Sequence, residues 1–156
     1  MKGGYVLLIQ VPNRITLNIK SLGTFSLDPG VWVYVGSAMG SVSTNLENRI
    51  RRHFGSQKKI HWHIDYLLAS DSKLNAAIWA ESNDSIECEV AQRLENNQGF
   101  EQGPRGFGAS DCKKGCRTHI YRAINIEHFE NIILDIFSEL KLNPKITYSG
   151  KIVECT

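Results

Sequence analysis

The fold of this chain is decided by Tyr34-Val35-Gly36-Ser37-Ala38, followed after a short gap by Asn45-Leu46-Glu47-Asn48-Arg49-Ile50-Arg51-Arg52-His53-Phe54. The first run predicts a short aromatic strand that ends in a glycine turn, and the second predicts a helix capped by Asn45 or by Thr44 before it. Arg49 and His53 are four residues apart, so they lie on one face of that helix. A tyrosine strand therefore leads into a helix that presents two basic side chains together.

Length and composition predict one ordinary globular domain. The chain has 156 residues, of which 42% are hydrophobic and 22% charged, which excludes disordered, collagen-like and disulfide-scaffold classes. Four cysteines in a chain of this size predict reduced thiols and a cytoplasmic location. No apolar run reaches membrane-spanning length and the start lacks a signal pattern, so no membrane association is expected.

The charge of the chain is small but unevenly distributed. The formal net charge is +2, yet residues 49–59 carry five lysines and arginines and no acid. Residues 127–139 carry four acids and neither lysine nor arginine. We expect one positive and one negative face, so local contact with a polyanion is consistent with the sequence.

The pattern of apolar residues predicts strands in the first quarter and helices mixed with strands afterwards. Strands are expected at residues 5–11, 15–19, 22–27, 31–35, 75–80 and 117–126, and helices at 45–54, from Asp84 or Ser85 to 96, and at 127–142. Residues 61–69 fit either a short helix or a strand, and residues 98–115 read as a loop. No linker divides the chain, so we expect a single domain over residues 1–142 and a tail or final strand over 143–156.

One glutamate is placed unusually in the third predicted helix. Ile86, Val90 and Leu94 define its buried stripe, and at about 100° per residue Glu87 lies at the edge of that stripe while Glu89 points away. A carboxylate beside apolar side chains is costly unless it binds something. The alternative is that Glu87 only stabilises the helix N-terminus through the helix dipole.

These residue types suit the chemistry of a phosphodiester. Arginine matches phosphate oxygens in two-point contact, tyrosine or histidine can accept a proton, and a carboxylate can hold a hard divalent ion. Arg49 and His53 flank the core, whereas Arg51 and Arg52 fall further round the helix as phosphate-facing surface. The alternative for Arg49 and His53 is a solvated helix edge that pairs in part with Glu47.

Several motifs together resemble the GIY-YIG nuclease superfamily. Gly4-Tyr5-Val6 and Tyr34-Val35-Gly36 are followed by Arg49 in one helix and Glu87 in a later one, and residues 45–54 are similar to the matching helix of the bacterial excision-repair incision subunit. The chain looks most like an uncharacterised, largely prokaryotic branch with some members fused to endonuclease III-like proteins. That resemblance extends from residue 4 to about 121 and includes His61-Trp62-His63-Ile64-Asp65-Tyr66-Leu67, Glu87-Cys88-Glu89 and Phe107-Gly108-Ala109-Ser110-Asp111-Cys112.

The resemblance implies an α+β fold, with a small, mainly antiparallel sheet flanked by helices. It implies a metal-dependent endonuclease that cuts phosphodiester bonds, with DNA as the expected substrate, in repair or processing. Tyr5 would activate or orient water beside Tyr34, Arg49 would stabilise the transition state, and Glu87 would hold Mg²⁺ or Mn²⁺. His53 matches a position that is tyrosine or histidine in relatives.

The chain departs from the superfamily pattern by an additional hairpin at about residues 13–27. Ordinary members join the two triplets by a short hairpin, so here Tyr5 and Tyr34 are neighbours only if their strands pair directly.

Contacts to nucleic acid are expected around the tyrosine strand, the basic helix and the segment after it. The residues concerned are Gly36, Ser37, Arg51, Arg52, Lys58, Lys59, His61 and His63. If residues 61–66 form a strand, His61, His63 and Asp65 share one face and could make hydrogen bonds or bind a ligand. The alternative is structural, with Asp65 and His63 satisfying the backbone or each other.

A second candidate metal site is Asp111-Cys112-x₃-Cys116-x₂-His119. Its residue types suit zinc, but the spacing is tight and the fourth ligand would have to be Asp111 or the distant Cys88. Isolated buried thiols are the commoner outcome, so Zn²⁺ is only the alternative cofactor. The expected cofactor is the Mg²⁺ or Mn²⁺ on Glu87 that the resemblance implies. Two competing functions stay open: a nucleic-acid-binding module of the same fold that cuts nothing, and a zinc-stabilised interaction domain.

Overall fold

A computed structural model describes residues 1–41, 45–56, 59–110, 112–125 and 127–152. Three residues named above, Thr44, Lys58 and Asp111, lie outside this part of the chain, as does one of the four cysteines, Cys155. Within it, no helix is both long enough and apolar enough to cross a membrane.

The chain forms an α+β fold, as expected. Six strands make one antiparallel sheet in the order β6-β7-β4-β1-β5-β8, and β2 and β3 pair separately. The elements are β1 (Gly3–Val11), β2 (Ile15–Ile19), β3 (Gly23–Leu27), β4 (Gly30–Ala38), α1 (Leu46–Phe54), α2 (His63–Leu68), β5 (Lys73–Glu81), α3 (Glu87–Glu95), β6 (Phe100–Gln102), β7 (Ile120–Ala123), α4 (Phe129–Glu139) and β8 (Lys145–Thr147).

Alternate residues of the central strand point to opposite faces of the sheet. Both sets are apolar, so both faces are covered by other elements. Tyr5, Leu7 and Ile9 of β1 pack with α1, α2 and the β2–β3 hairpin. Val6 and Leu8 of β1 pack with α3 and α4. Nearly all of β1 is therefore buried, and the two apolar layers stand on either side of it.

The additional hairpin leaves the main sheet, so β1 and β4 pair directly. In their register Tyr5 lies opposite Gly36 and Leu7 lies opposite Tyr34. The strands that carry Tyr5 and Tyr34 are therefore direct neighbours, as the proximity of the two tyrosines requires. Both rings project into the layer that contains α1.

The prediction of a turn at Gly36 is wrong. Strand β4 continues through Gly36 to Ala38, because Gly36 pairs with Tyr5 and leaves room for the tyrosine ring. A side-chain carbon at Gly36 would stand 2.5 Å from Tyr5 Cζ and 2.6 Å from its hydroxyl oxygen.

Other boundaries differ from expectation by a few residues. The helix alternative is correct for residues 61–69, where α2 begins at His63, so the strand face of His61, His63 and Asp65 does not form. Helix α3 begins at Glu87, after the expected caps at Asp84 and Ser85. The last strand of the expected set is shorter, at residues 120–123, and residues 145–147 form a final strand against β5.

Candidate active site

One polar cavity of about 280 Å³ contains the four residues at the centre of the predicted site. Tyr5 comes from β1, Tyr34 from β4, Arg49 from α1 and Glu87 from α3. Helix α3 packs on the other face of the sheet, but its first turn reaches the cavity past the end of the paired strands. The remaining lining residues are Gly36, Ser37, Trp62, Gly108 and Cys112.

Gly4 explains how α3 approaches the strands so closely. A side-chain carbon at Gly4 would lie 2.6 Å from Ile86 Cγ1, so the absent side chain gives Ile86 its place against the sheet. Ile86 immediately precedes the first helical residue, Glu87. Glycine on the central strand therefore helps to set the position of the carboxylate.

Tyr5 is hydrogen bonded to His53. The distance from Tyr5 Oη to His53 Nε2 is 2.8 Å, and both side chains are buried. His53 lies one helical turn after Arg49, on the same face of α1. The phenol and the imidazole therefore form a pair through which a proton can pass between the cavity and the core.

Burial keeps both tyrosines protonated. It raises the pKa of Tyr5 well above its ordinary value, and the nearby Arg49 guanidinium offsets only part of that effect. Burial, followed by the neighbouring Tyr5 and Glu87, raises the pKa of Tyr34. Both phenols are therefore neutral at physiological pH, and each is a hydroxyl donor that also has acceptor lone pairs.

Arg49 is held at the edge of the cavity by two contacts. Its Nη1 donates to the Ser37 carbonyl oxygen at 2.8 Å. Its guanidinium carbon lies 4.4 Å from the ring centroid of Trp62, a cation–π geometry. These contacts orient a planar group with five N–H donors toward the cavity, which suits contact with a phosphate.

Arg52 is not positioned as the phosphate-facing residue expected from the sequence. Its Nη1 and Nη2 donate to the two carboxylate oxygens of Asp65, each at 3.0 Å, and Nη2 also donates to the Lys59 carbonyl oxygen at 2.7 Å. Its guanidinium carbon lies 4.4 Å from the Trp62 ring centroid. We therefore correct the role of Arg52 from surface contact to the joining of α1 to α2.

Asp65 is the buried partner in this arrangement, which bears out the structural alternative for its role. Its Oδ2 accepts from the backbone N–H groups of His61 and Trp62, each at 2.9 Å. Burial alone would raise the pKa of Asp65, but Arg52 and these two donors outweigh it and hold the pKa below its ordinary value. Asp65 therefore stays ionised and fixes the start of α2 beside the cavity.

Arg52→Ala is expected to lower the free energy of unfolding by about 2 kcal/mol, because it leaves the Asp65 carboxylate buried without its cation. The matched variant Arg51→Ala, on the exposed face of the same helix, should change it by less than about 0.5 kcal/mol. Urea unfolding of both variants measures the difference. Equal stability of the two would contradict the structural role of Arg52.

The two histidines expected to contact nucleic acid occupy different settings. His63 Nδ1 accepts from the Gly108 N–H at 2.9 Å, and its Nε2 lies 3.0 Å from Ser21 Oγ. His63 thus joins α2 to the β2–β3 hairpin and to the loop before β7, which does not favour contact with DNA. His61 is exposed, as are Arg51 and Lys59, so these three remain candidates for such contact.

Trp62 is a lining residue that the sequence reasoning missed. It stands between the guanidinium groups of Arg49 and Arg52 and lies in the cavity wall. In the sequence Trp62 counts only as one of the apolar residues of the 61–69 pattern, and in the structure it immediately precedes α2. Only the packing of α1 against α2 reveals it.

A group of cysteines and one histidine lies beside the cavity. The ligand atoms of Cys88, Cys112, Cys116 and His119 all stand within 4.8 Å of one another, so this Cys₃His group could bind a metal ion. Cys88 directly follows Glu87 in α3, and His119 Nδ1 lies 3.8 Å from Glu87 Oε2. Burial lowers the pKa of His119, so its imidazole is neutral.

Comparison with protein-family models gives one match. The model of the domain of unknown function DUF123 matches residues 4–142. The searches of curated proteins and of solved structures found no match.

Proposed function

The chain belongs to the DUF123 family, and we propose that it is a GIY-YIG-type endonuclease that hydrolyses phosphodiester bonds in DNA with the help of Mg²⁺ or Mn²⁺. One observation carries the proposal: Tyr5, Tyr34, Arg49 and Glu87 come from four separate elements and line one polar cavity. A cytoplasmic setting, in which reduced thiols and DNA coexist, belongs to the same proposal.

The cavity suits a hydrated divalent ion on Glu87. Mg²⁺ prefers oxygen ligands and keeps several waters, so one or two carboxylates are enough to bind it. Glu87 supplies one carboxylate, and a volume of about 280 Å³ has room for roughly nine waters or for fewer waters and a phosphate group. When bound, such an ion would polarise a phosphoryl oxygen and favour ionisation of a water.

Tyr5 and His53 supply the route for the proton. The route requires the Nδ1–H tautomer of His53, in which the Tyr5 hydroxyl donates to Nε2 and uses an oxygen lone pair to accept a hydrogen bond from the attacking water. As the water oxygen bonds to phosphorus, its proton passes to Tyr5 Oη while the phenolic proton passes to His53 Nε2. The bond from phosphorus to the leaving oxygen breaks, and that oxygen takes a proton from solvent water. The raised pKa of Tyr5 is compatible with this exchange, because the phenol is neutral before and after it.

Arg49 stabilises the charge that grows on the phosphoryl oxygens. Its position is set in advance by Ser37 and Trp62, so little reorganisation is needed during the reaction. Tyr34, also neutral, can donate to a phosphate oxygen from the neighbouring strand.

The surface beside the cavity gives a path for the nucleic acid. A second cavity of about 250 Å³ shares Tyr34, Trp62 and Gly108 with the first and extends to His61. The exposed Arg51 and Lys59 add positive charge nearby. A DNA strand on this path would contact aromatic rings as well as cations, a combination typical of single-stranded or distorted substrates.

The direct test incubates branched, flapped and linear DNA with the protein and Mg²⁺ or Mn²⁺. We expect incision by the wild type, and rates about a hundredfold lower for Arg49→Ala and Glu87→Gln at saturating protein. Arg51→Ala, on the same helix as Arg49, should weaken DNA binding with little change in that rate. Glu89→Gln, on the same helix as Glu87, removes an ion pair with Lys114 outside the cavity lining and should cut normally.

The competing function is binding without cleavage. Binding alone does not require a carboxylate beside the phosphate, so Glu87 is the residue that separates the two functions. If the wild type binds every substrate and cuts none with either ion, the enzyme proposal fails and the binding module remains.

A further inference from the structure

We propose that Cys88, Cys112, Cys116 and His119 bind one Zn²⁺ ion in a closed tetrahedral site, separate from the divalent-ion site proposed on Glu87. The zinc proposal rests on the geometry of these four residues and does not require the chain to be a nuclease.

The distances between the ligand atoms fit a single zinc ion. Zinc–sulfur bonds of about 2.3 Å and zinc–nitrogen bonds of about 2.0 Å in a tetrahedron place the ligand atoms roughly 3.5 to 3.8 Å apart. Cys88 Sγ lies 3.9 Å from His119 Nε2, and all four atoms lie within 4.8 Å of one another. Cys88 Sγ and Cys112 Sγ are 3.0 Å apart and need to separate by roughly 0.7 Å around the ion.

Cys88 is the fourth residue of the ligand set, and it is distant in the sequence from the other three. Cys112, Cys116 and His119 follow one another in the segment between β6 and β7, whereas Cys88 lies in the first turn of α3. Three sulfur ligands and one imidazole form a set typical of structural zinc sites. Asp111, the other candidate from the sequence, is not needed as a fourth ligand.

The site would fasten a long connection to the rest of the domain. The described residues between β6 and β7, 103–110 and 112–119, form turns and bends but no helix or strand. Lys114 of this connection forms an ion pair with Glu89 of α3, which is partly exposed and therefore weak. A zinc ion would replace that loose attachment by four strong bonds.

The same ion would hold one wall of the active-site cavity. Cys112 lines the cavity, and Cys88 follows Glu87 directly in the chain. With zinc on Nε2, the Nδ1–H of His119 faces Glu87 Oε2, which lies 3.8 Å away. Ligand histidines commonly direct their second nitrogen to a carboxylate, so zinc would also orient the Glu87 side chain.

The test measures metal in the full-length protein purified under reducing conditions without added zinc. Elemental analysis should find one zinc per chain, and replacement by Co²⁺ should give the visible absorption bands of a tetrahedral thiolate site. Cys88→Ser and Cys112→Ser should lose the metal. Lys114→Ala, in the same loop but not a ligand, should keep it.

Zinc removal should also lower the stability of the wild type. We expect chelation to lower Tm by about 10 °C and zinc to restore it. Because this measurement and the cobalt spectrum use the wild-type chain, misfolding of a variant does not obscure the result.

Two findings would overturn the zinc site. One is wild-type protein that holds no zinc, gives no cobalt spectrum and reacts at every thiol. The other is a mass 2 Da lower than the reduced chain, which would show that Cys88 and Cys112 form a disulfide. Neither result depends on DNA cleavage, so loss of the zinc site and loss of nuclease activity can be told apart.

Discussion

Tyr5→Phe is expected to slow DNA cleavage about a thousandfold at saturating protein while the chain stays folded. Phenylalanine keeps the buried ring against Gly36 but removes the hydroxyl that contacts His53 and that, in the proposed mechanism, also binds the attacking water. In that mechanism the hydroxyl acts in the transition state, so kcat should fall and DNA binding should change little. Single-turnover rates together with binding titrations measure the two effects separately.

The matched control for this variant is Tyr121→Phe. Tyr121 is as buried as Tyr5, and its hydroxyl donates to the Thr118 carbonyl oxygen at 3.1 Å, but it does not line the cavity. Both variants should lose about 1 kcal/mol of stability for the missing hydrogen bond. Only Tyr5→Phe should lose cleavage. Equal cleavage by the two variants would exclude the proposed proton path.

Gly36→Ala is expected to lower the free energy of unfolding by about 3 kcal/mol and to abolish most cleavage. The new methyl group would stand 2.5 Å from Tyr5 Cζ, well inside van der Waals contact, so the buried ring must move. Relief of the clash requires a shift of the Tyr5 hydroxyl away from His53. Chemical unfolding measures the first effect and single-turnover cleavage the second.

A double-mutant cycle tests whether the clash with Tyr5 is the cause. Tyr5→Leu removes the three atoms closest to the new methyl group, which are Cζ, Cε2 and the hydroxyl oxygen. On that background Gly36→Ala should cost less than about 1 kcal/mol, so the coupling energy should be about 2 kcal/mol. If Gly36→Ala costs the same on both backgrounds, the strain arises elsewhere in β4.

The two proposed metal ions differ in their ligands and in their purpose. The sulfur-rich Cys₃His group suits a permanent zinc ion that closes a loop, whereas the single carboxylate of Glu87 suits an exchangeable ion that keeps its waters. Brief dialysis against a weak chelator should therefore remove the catalytic ion and leave zinc in place. Cleavage after such treatment should return with Mg²⁺ or Mn²⁺ alone.

Local pattern was enough to predict most of the elements. The helical pattern of residues 45–54 and the cap at Asn45 placed α1 within a residue of its observed start. Short strands with turn residues between them gave β1 to β4. Boundaries failed where a contact from a distant element decided them, as at Gly36, which β1 draws into the sheet, and at the start of α3.

Side-chain roles were harder to predict than elements. Helical spacing placed Arg52 on the surface, but its partner Asp65 belongs to another helix. Cys112, Cys116 and His119 looked like an incomplete metal site because Cys88, the fourth residue of the group, lies in α3. In each case the decisive neighbour is remote in the chain, and no periodicity within one segment reveals it.

The sequence by itself determined the elements of this protein and the chemistry available on each of them, because periodicity, caps and residue types act over a few neighbours. The tertiary structure alone decided that β1 pairs with β4 beyond the hairpin, that Tyr5 meets His53, and that Glu87 reaches the cavity from α3. Those contacts depend on strand pairing and on the packing of two layers against one sheet. They are long-range contacts, and one-dimensional spacing does not encode them.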